Sequence, residues 1–237
     1  MAVAVITGAS RGFGKALAAD LAADGWDVVL DARDGAALDR AAAEIASGAA
    51  PGARVRAVPG DVADAGHRAE VVAAAQQLGG IDLLVNNASL LGPSPQPALA
   101  DYPLDELESV YRVNVIAPLA LIQGALPALR AAHGTVVDMT SDAAVEGYEG
   151  WGGYGSSKAA FEQLSNVLAA EEPDVRVYWF DPGDMRTQMH QEAFPGEDIS
   201  DRPLPERVVP RLRSLLWNAP PSGRYRAADL SDVVEVK

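Results

Sequence analysis

Residues 7–14 read TGASRGFG and follow directly on the apolar run VAVI at residues 3–6. A short apolar run closed by a turn residue has the pattern of a buried strand. From Gly12 to about residue 25 the spacing becomes helical. A glycine-rich turn between a strand and a helix is the context that a phosphate-binding loop requires. Gly8 permits a tight turn, Gly12 lets backbone approach a ligand, and Gly14 lets the helix lie close on the sheet. The helix then aims its free N–H groups and positive dipole end at a phosphate. Ser10, Arg11 and Phe13 complete the dinucleotide-binding turn that this pattern predicts.

Outward from that turn the same alternation continues. Segments 27–31, 54–58, 81–85, 134–139 and 175–180 read as further strands, with a last one at 223–227. Helical spacing fills 35–47, 64–79, 104–131, 153–172 and about 205–218. No linker, repeat or change of composition divides the 237 residues, and 49% hydrophobic content is enough for one core. The prediction is α/β: a single Rossmann-type doubly wound parallel sheet of seven strands, helices on both faces, with residues 1–237 forming one domain. In such a sheet, ligands sit beyond the carboxyl ends of the strands, so motifs there carry the most weight.

Composition narrows the function classes. The chain has no cysteine, which excludes disulfides and thiolate metal sites. His67, His133 and His190 are far apart, with no partner at ligand spacing, so no metal site is expected. A net charge of −14 has the wrong sign for nucleic acid or an anionic membrane, and the expected partner is a small molecule. No signal peptide is visible and no uninterrupted apolar stretch approaches a membrane span, which points to the cytosol.

The end of the second strand bears on which dinucleotide binds. An acid there suits a free ribose 2′-hydroxyl and an arginine suits a 2′-phosphate. Residues 28–34, VVLDARD, offer both Asp31 and Arg33. Arg11 adds a second positive charge, and two arginines make a good phosphate clamp, which favours NADP(H) over NAD(H). Arg33 could instead pair with Asp31 or Asp34.

These features resemble the short-chain dehydrogenase/reductase family, and the resemblance runs from Thr7 to Thr187. It rests on Gly8, Gly12 and Gly14, on Asp61-Val62, on Asn86-Asn87-Ala88, and on Pro182-Gly183 followed by Thr187. It implies cofactor contacts at Asp61 and Val62 near the adenine, at Asn87 and Ala88, and at Pro182, Gly183 and Thr187 near the nicotinamide. It also implies a catalytic set of Asn114, Ser141, Tyr154 and Lys158. Ser89 stands where the family usually has glycine. Tyr154 and Lys158, four residues apart, share one helical face, and an ammonium there is expected to lower the phenol's pKa toward neutrality. The resemblance gives Lys158 a second task, holding the nicotinamide ribose. Ser141 would bind the substrate oxygen, and Asn114 would hold a water that relays protons to Lys158. Gly155, Ser156 and Ser157 are expected to keep that helical turn uncrowded for ligands.

The implied activity is hydride transfer between NADP(H) and a small carbonyl or alcohol, with tyrosine as the acid/base. Residues 188–205 resemble the family's substrate lid, and Glu146, Tyr148 and Trp151 are either pocket or loop packing. The apolar helices at 104–131 and 153–172 correspond to those through which members pair as homodimers or homotetramers. Segments 87–92, 168–177 and 182–191 resemble the sepiapterin reductases, which makes a pteridine reductase an alternative. The aspartate that anchors pterin in those enzymes falls on Ala227 here, with Asp229 two residues beyond. An alternative of another class is a catalytically silent NADP(H)-sensing regulatory protein.

Overall fold

A computed structural model describes residues 1–231. Seven strands form one parallel sheet: β1 (Val3–Ile6), β2 (Asp27–Ala32), β3 (Val55–Pro59), β4 (Leu83–Asn86), β5 (Thr135–Met139), β6 (Arg176–Asp181) and β7 (Gly223–Arg226). Their order is β3-β2-β1-β4-β5-β6-β7. In register, Val5 lies beside Val29 and Leu84, and Val137 lies between Val85 and Tyr178.

Alternate residues of each strand feed two cores, as a sheet covered on both faces requires. Ala4, Ile6, Leu30, Val85 and Phe180 pack with α1 (Gly12–Ala23), α2 (Gly35–Gly48) and α8 (Val209–Asn218). Val3, Val5, Val29, Leu84 and Val177 face α3 (Ala65–Leu78), α5 (Ala117–Ala132) and α6 (Gly152–Glu171). The chain winds outward from β1 to β3, then returns to lay β4 on β1's other side. The carboxyl ends of β1 and β4 therefore open the crevice where a ligand can enter.

Two stretches depart from expectation. The helix predicted at 104–131 is three pieces: α4 (Leu104–Tyr111), a π-helical turn (Arg112–Ile116) and α5. Pro118 sits in the first turn of α5 and has no N–H to donate, a physical reason for the helical ladder to slip there. By length and composition the run Leu104–Ala132 could cross a membrane, yet its Leu121, Ile122, Ala125 and Leu129 pack into the core. In the expected lid, Thr187 caps a short helix, α7 (Gln188–Ala193), accepting a hydrogen bond from the His190 N–H at 3.2 Å.

Candidate active site

The glycine turn is held from below by β4. The Asn87 side-chain amide donates to the carbonyls of Thr7 (2.8 Å) and Gly8 (3.1 Å), and the Thr7 hydroxyl accepts the Asn87 and Ala88 N–H groups. Gly8 and Gly12 have φ of 65° and 58°, the left-handed region that glycine enters without strain. A Cβ on Gly14 would meet the Asn87 amide nitrogen at 2.6 Å and the Gly8 carbonyl at 2.8 Å. One on Gly12 would meet only Thr187, at 3.7 Å, so backbone is exposed to the crevice there. No side chain caps α1 and no acid lies in its first turn, which leaves its N–H groups open to an anion. Ser10 lies half-buried in the turn, whereas the Phe13 ring stacks on Phe180 in the core and offers a ligand only its backbone.

Arg11 lies exposed at this turn, but its guanidinium donates to the Gln188 side chain of α7. Arg33 is exposed at the end of β2, with no ionic partner among the described residues. Neither neighbouring acid takes it: Asp31 is buried against His67, and Asp34 caps α2 by accepting from Ala37 at 3.0 Å. Asp61 is exposed and Val62 buried at the end of the β3 crossover. An anionic dinucleotide fits this set, since the Gly12 backbone is open and Arg33 leaves a positive charge exposed nearby.

A cavity of about 130 Å³ opens beside this turn, lined by Ser141, Tyr154 and Lys158, with Asn87, Pro182, Gly183 and Thr187 at its edge. Those predicted residues therefore converge on one pocket. Asn114 stands behind it. It is buried, not a surface amide, on the π-helical turn, and its amide brackets the segment that carries Ser89. Its oxygen accepts from Leu90 N (2.7 Å) and Ser89 Oγ (3.2 Å), and its nitrogen donates to Leu90 O (2.9 Å) and to Ser157 Oγ (3.0 Å). Among the described residues it is thus tied to the Leu90 backbone, Ser89 and Ser157, while Lys158 Nζ donates to the Met139 carbonyl at 2.7 Å.

The expected lowering of the phenol's pKa is not what the site shows. Burial pushes the Tyr154 phenol up, the Ser89 hydroxyl opposes this, and Asp181 and Asp142 push it further. Lys158 Nζ sits 5.5 Å from the ring centroid and gives one of its three protons to the Met139 carbonyl, and its attraction does not offset the burial of the phenol. Burial lowers Lys158 itself to about 8, against the pull of Asp138 and Glu162. At neutral pH this wall therefore holds a protonated phenol, a proton donor, beside an ammonium near its titration point.

The small residues after Tyr154 serve packing more than access. A Cβ on Gly155 would meet the Ala143 carbonyl at 2.6 Å, and Ser157 Oγ donates to the Tyr154 carbonyl at 2.6 Å. Ser141 lies two residues beyond β5. Its hydroxyl donates to Asp142 (2.8 Å) and must turn to reach a substrate oxygen. Trp151 lines the pocket, edge-on to Tyr154, but Tyr148 lies exposed with its hydroxyl on Asp142 (3.1 Å), and Glu146 is also exposed.

Sequence reasoning missed several groups. Asp142, Asp181, Asp184 and Met185 line the pocket unforeseen, beside Met189 and His190 of the expected lid. Asp142 could have been found, since it adjoins Ser141. Arg224 on β7 could not. It donates to Glu162 (2.9 Å), Asp181 (3.1 Å) and the Ser141 carbonyl (3.1 Å), bracing the ends of β5 and β6 from a distant segment. Ala227 is core, and the Asp229 carboxylate is held by Arg226 at 2.7 and 2.9 Å and does not line the pocket.

Comparison with known proteins agrees with this geometry. Residues 2–198 match the short chain dehydrogenase family. The chain is 39% identical over 224 residues to a sepiapterin reductase from Meriones unguiculatus, covering 90% of this chain and 84% of that protein. It is 38% identical over 241 residues to 1-deoxy-11-beta-hydroxypentalenate dehydrogenase from Streptomyces exfoliatus, covering 97% and 83%. An alcohol dehydrogenase from Thermococcus sibiricus, solved with 5-hydroxy-NADP, superposes with a TM-score of 0.84 at 30% identity over 95% of both chains.

Proposed function

The chain belongs to the short-chain dehydrogenase family, and from that premise we propose that it is an NADP(H)-dependent oxidoreductase of small-molecule carbonyls and alcohols. The nicotinamide cofactor supplies the hydride when bound. The observation that carries the proposal is the convergence of Ser141, Tyr154 and Lys158 on one pocket beside an open glycine turn. In this reading Tyr154 gives its proton to the substrate oxygen and Ser141, released from Asp142, holds that oxygen. Lys158 supports the phenol's charge change and binds ribose hydroxyls. Asn114 positions the Ser89–Leu90 segment and, through Ser157, the carbonyl end of the Tyr154 turn. A phenol that burial keeps protonated suits reduction of a carbonyl.

Arg33, exposed and without an acidic partner among the described residues, supports NADP(H) over NAD(H). The lid is residues 188–205, whose α7 side chains close one wall of the pocket. The active unit is a homodimer or homotetramer in the cytosol. Mixing the protein with NADPH and a panel of ketones, aldehydes, quinones and sugars, and following NADPH loss, tests the proposal. Turnover of at least one carbonyl is the expected result. Cofactor binding without turnover of any would favour a silent NADP(H)-sensing protein.

A second reading, a pteridine reductase, is favoured by the similarity to sepiapterin reductase over most of the chain. The carboxylate expected to anchor the pterin is not in the pocket, and Asp142 or Asp184 would have to replace it. Sepiapterin in the same panel separates the two: a kcat/KM far above that of simple ketones selects the pterin.

A further inference from the structure

The sequence leaves Asp31 and Arg33 in competition for the ribose end of a dinucleotide, and the structure shows how the two are sorted. Asp31 is 1% exposed, and both of its side-chain oxygens are engaged inside the protein. One meets His67 Nε2 on α3, and the other accepts the Gly8 N–H at 3.4 Å. The Asp31 carbonyl accepts from Ala9 at 2.8 Å, so residue 31 braces the glycine turn with backbone and side chain together.

His67 is built into this place. Asp64 caps α3 by accepting the His67 N–H at 2.8 Å, which fixes where the ring begins. Any side chain on Gly60 would collide with the imidazole, so glycine at that position makes room for it. Among the described residues Nδ1 is buried with no partner, so the ring's polar contact is the Nε2–Asp31 hydrogen bond, in which Nε2 donates to the carboxylate. The other charged groups near this pair are Asp64, which caps α3, and Asp61 after β3. Turning Asp31 outward would strand the imidazole N–H in the interior, which burial makes unfavourable.

We infer that His67 sets the nucleotide preference of the site, by holding the Asp31 carboxylate inside the fold and leaving Arg33 as the charged group that meets a 2′-phosphate. The inference rests on the NADP(H) reading above and adds to it a positioning residue that never touches the nucleotide.

Kd values for NADPH and NADH, from fluorescence titration of the purified protein, test this without turnover. Wild type is expected to bind NADPH at least about ten-fold more tightly than NADH. His67→Leu removes the donor, frees Asp31 to face the ribose, and should cut that ratio by about ten-fold. His67→Gln, whose amide can still donate, should keep it within about two-fold, as should Asp31→Asn with His67 intact. His67→Leu combined with Asp31→Asn should restore the wild-type ratio. A folded His67→Leu with an unchanged ratio would overturn the inference. So would a large shift in Asp31→Asn alone, which decides the matter if His67→Leu does not fold. A wild type that binds NADH more tightly overturns the NADP(H) reading itself, a distinguishable failure.

Discussion

Tyr154 and Lys158 lie buried in one wall of the pocket, but their polar ends meet different partners, and this sets what single substitutions should do. Tyr154→Phe removes the proton donor and leaves Lys158 on Met139, so folding and NADPH affinity should be preserved. Turnover should drop by about 10²-fold or more, the usual worth of a positioned acid. Wild-type kcat on a good carbonyl would remove Tyr154 from the mechanism. Lys158 gives a pH prediction. Its pKa is lowered to about 8, so the ammonium is present below that value and lost above it. Activity that needs the charge should be flat toward neutrality and decline as pH rises through about 8. Asp138, buried below it on β5, has its own pKa raised to about 6 by burial, with hydrogen bonds from Ser165 (2.6 Å) and Asn86 (2.8 Å) opposing. Its carboxylate holds the lysine's value up, so Asp138→Asn should move the alkaline limb of kcat/KM to lower pH. An unmoved limb would mean that the limb does not report Lys158.

The glycine turn and α1 fit β4 so closely that one methyl group should separate packing from function. Gly14→Ala places a Cβ against the Asn87 amide and the Gly8 carbonyl, both part of the turn, and neither can yield without opening it. Strain of about 1–3 kcal/mol is expected, seen as a lower Tm, together with at least about ten-fold weaker NADPH binding. Gly48 at the end of α2 has nothing near its Cβ position, so Gly48→Ala should leave binding alone and stabilise by up to about 1 kcal/mol. If both variants bound NADPH like wild type, the turn would not be the nucleotide site. At this scale the sequence is most legible, because apolar runs and glycine punctuation are local signals. Strand ends such as β2 and β5 fall within a residue or so of expectation. What escaped is nonlocal or exceptional. Arg224 reaches Ser141 across 83 residues of chain, the π-helical turn under Asn114 leaves no periodic trace, and α7 is only six residues long. Asn87 and Gly155 were legible as positions but not in their tasks, which depend on what faces them across the fold.

For the molecule as a whole, one sheet carries both the nucleotide turn and the reacting wall, and the helices outside it leave apolar groups uncovered. Ile116 on the π-helical turn is 57% exposed and Val167 on α6 is 42% exposed, while the opposite sides of the same helical run and of α6 enter the core. Apolar surface left open on helices whose other faces are buried is what an interface between copies would cover. An acidic chain of net charge −14 gains nothing in solubility from these residues, which argues for their burial against an apolar partner face. Light scattering of the wild type should give twice or four times the chain mass of 24.7 kDa. Ile116→Lys combined with Val167→Lys places like charges at both exposed positions, at a cost that should dissociate an assembly covering them to about the single-chain mass. The pocket is lined within one chain, so the dissociated variant should still bind NADPH. A monomeric wild type would defeat the assembly. An unchanged mass in the variant would move the interface to another surface, and Trp217 on α8, 74% exposed, is the next place to probe.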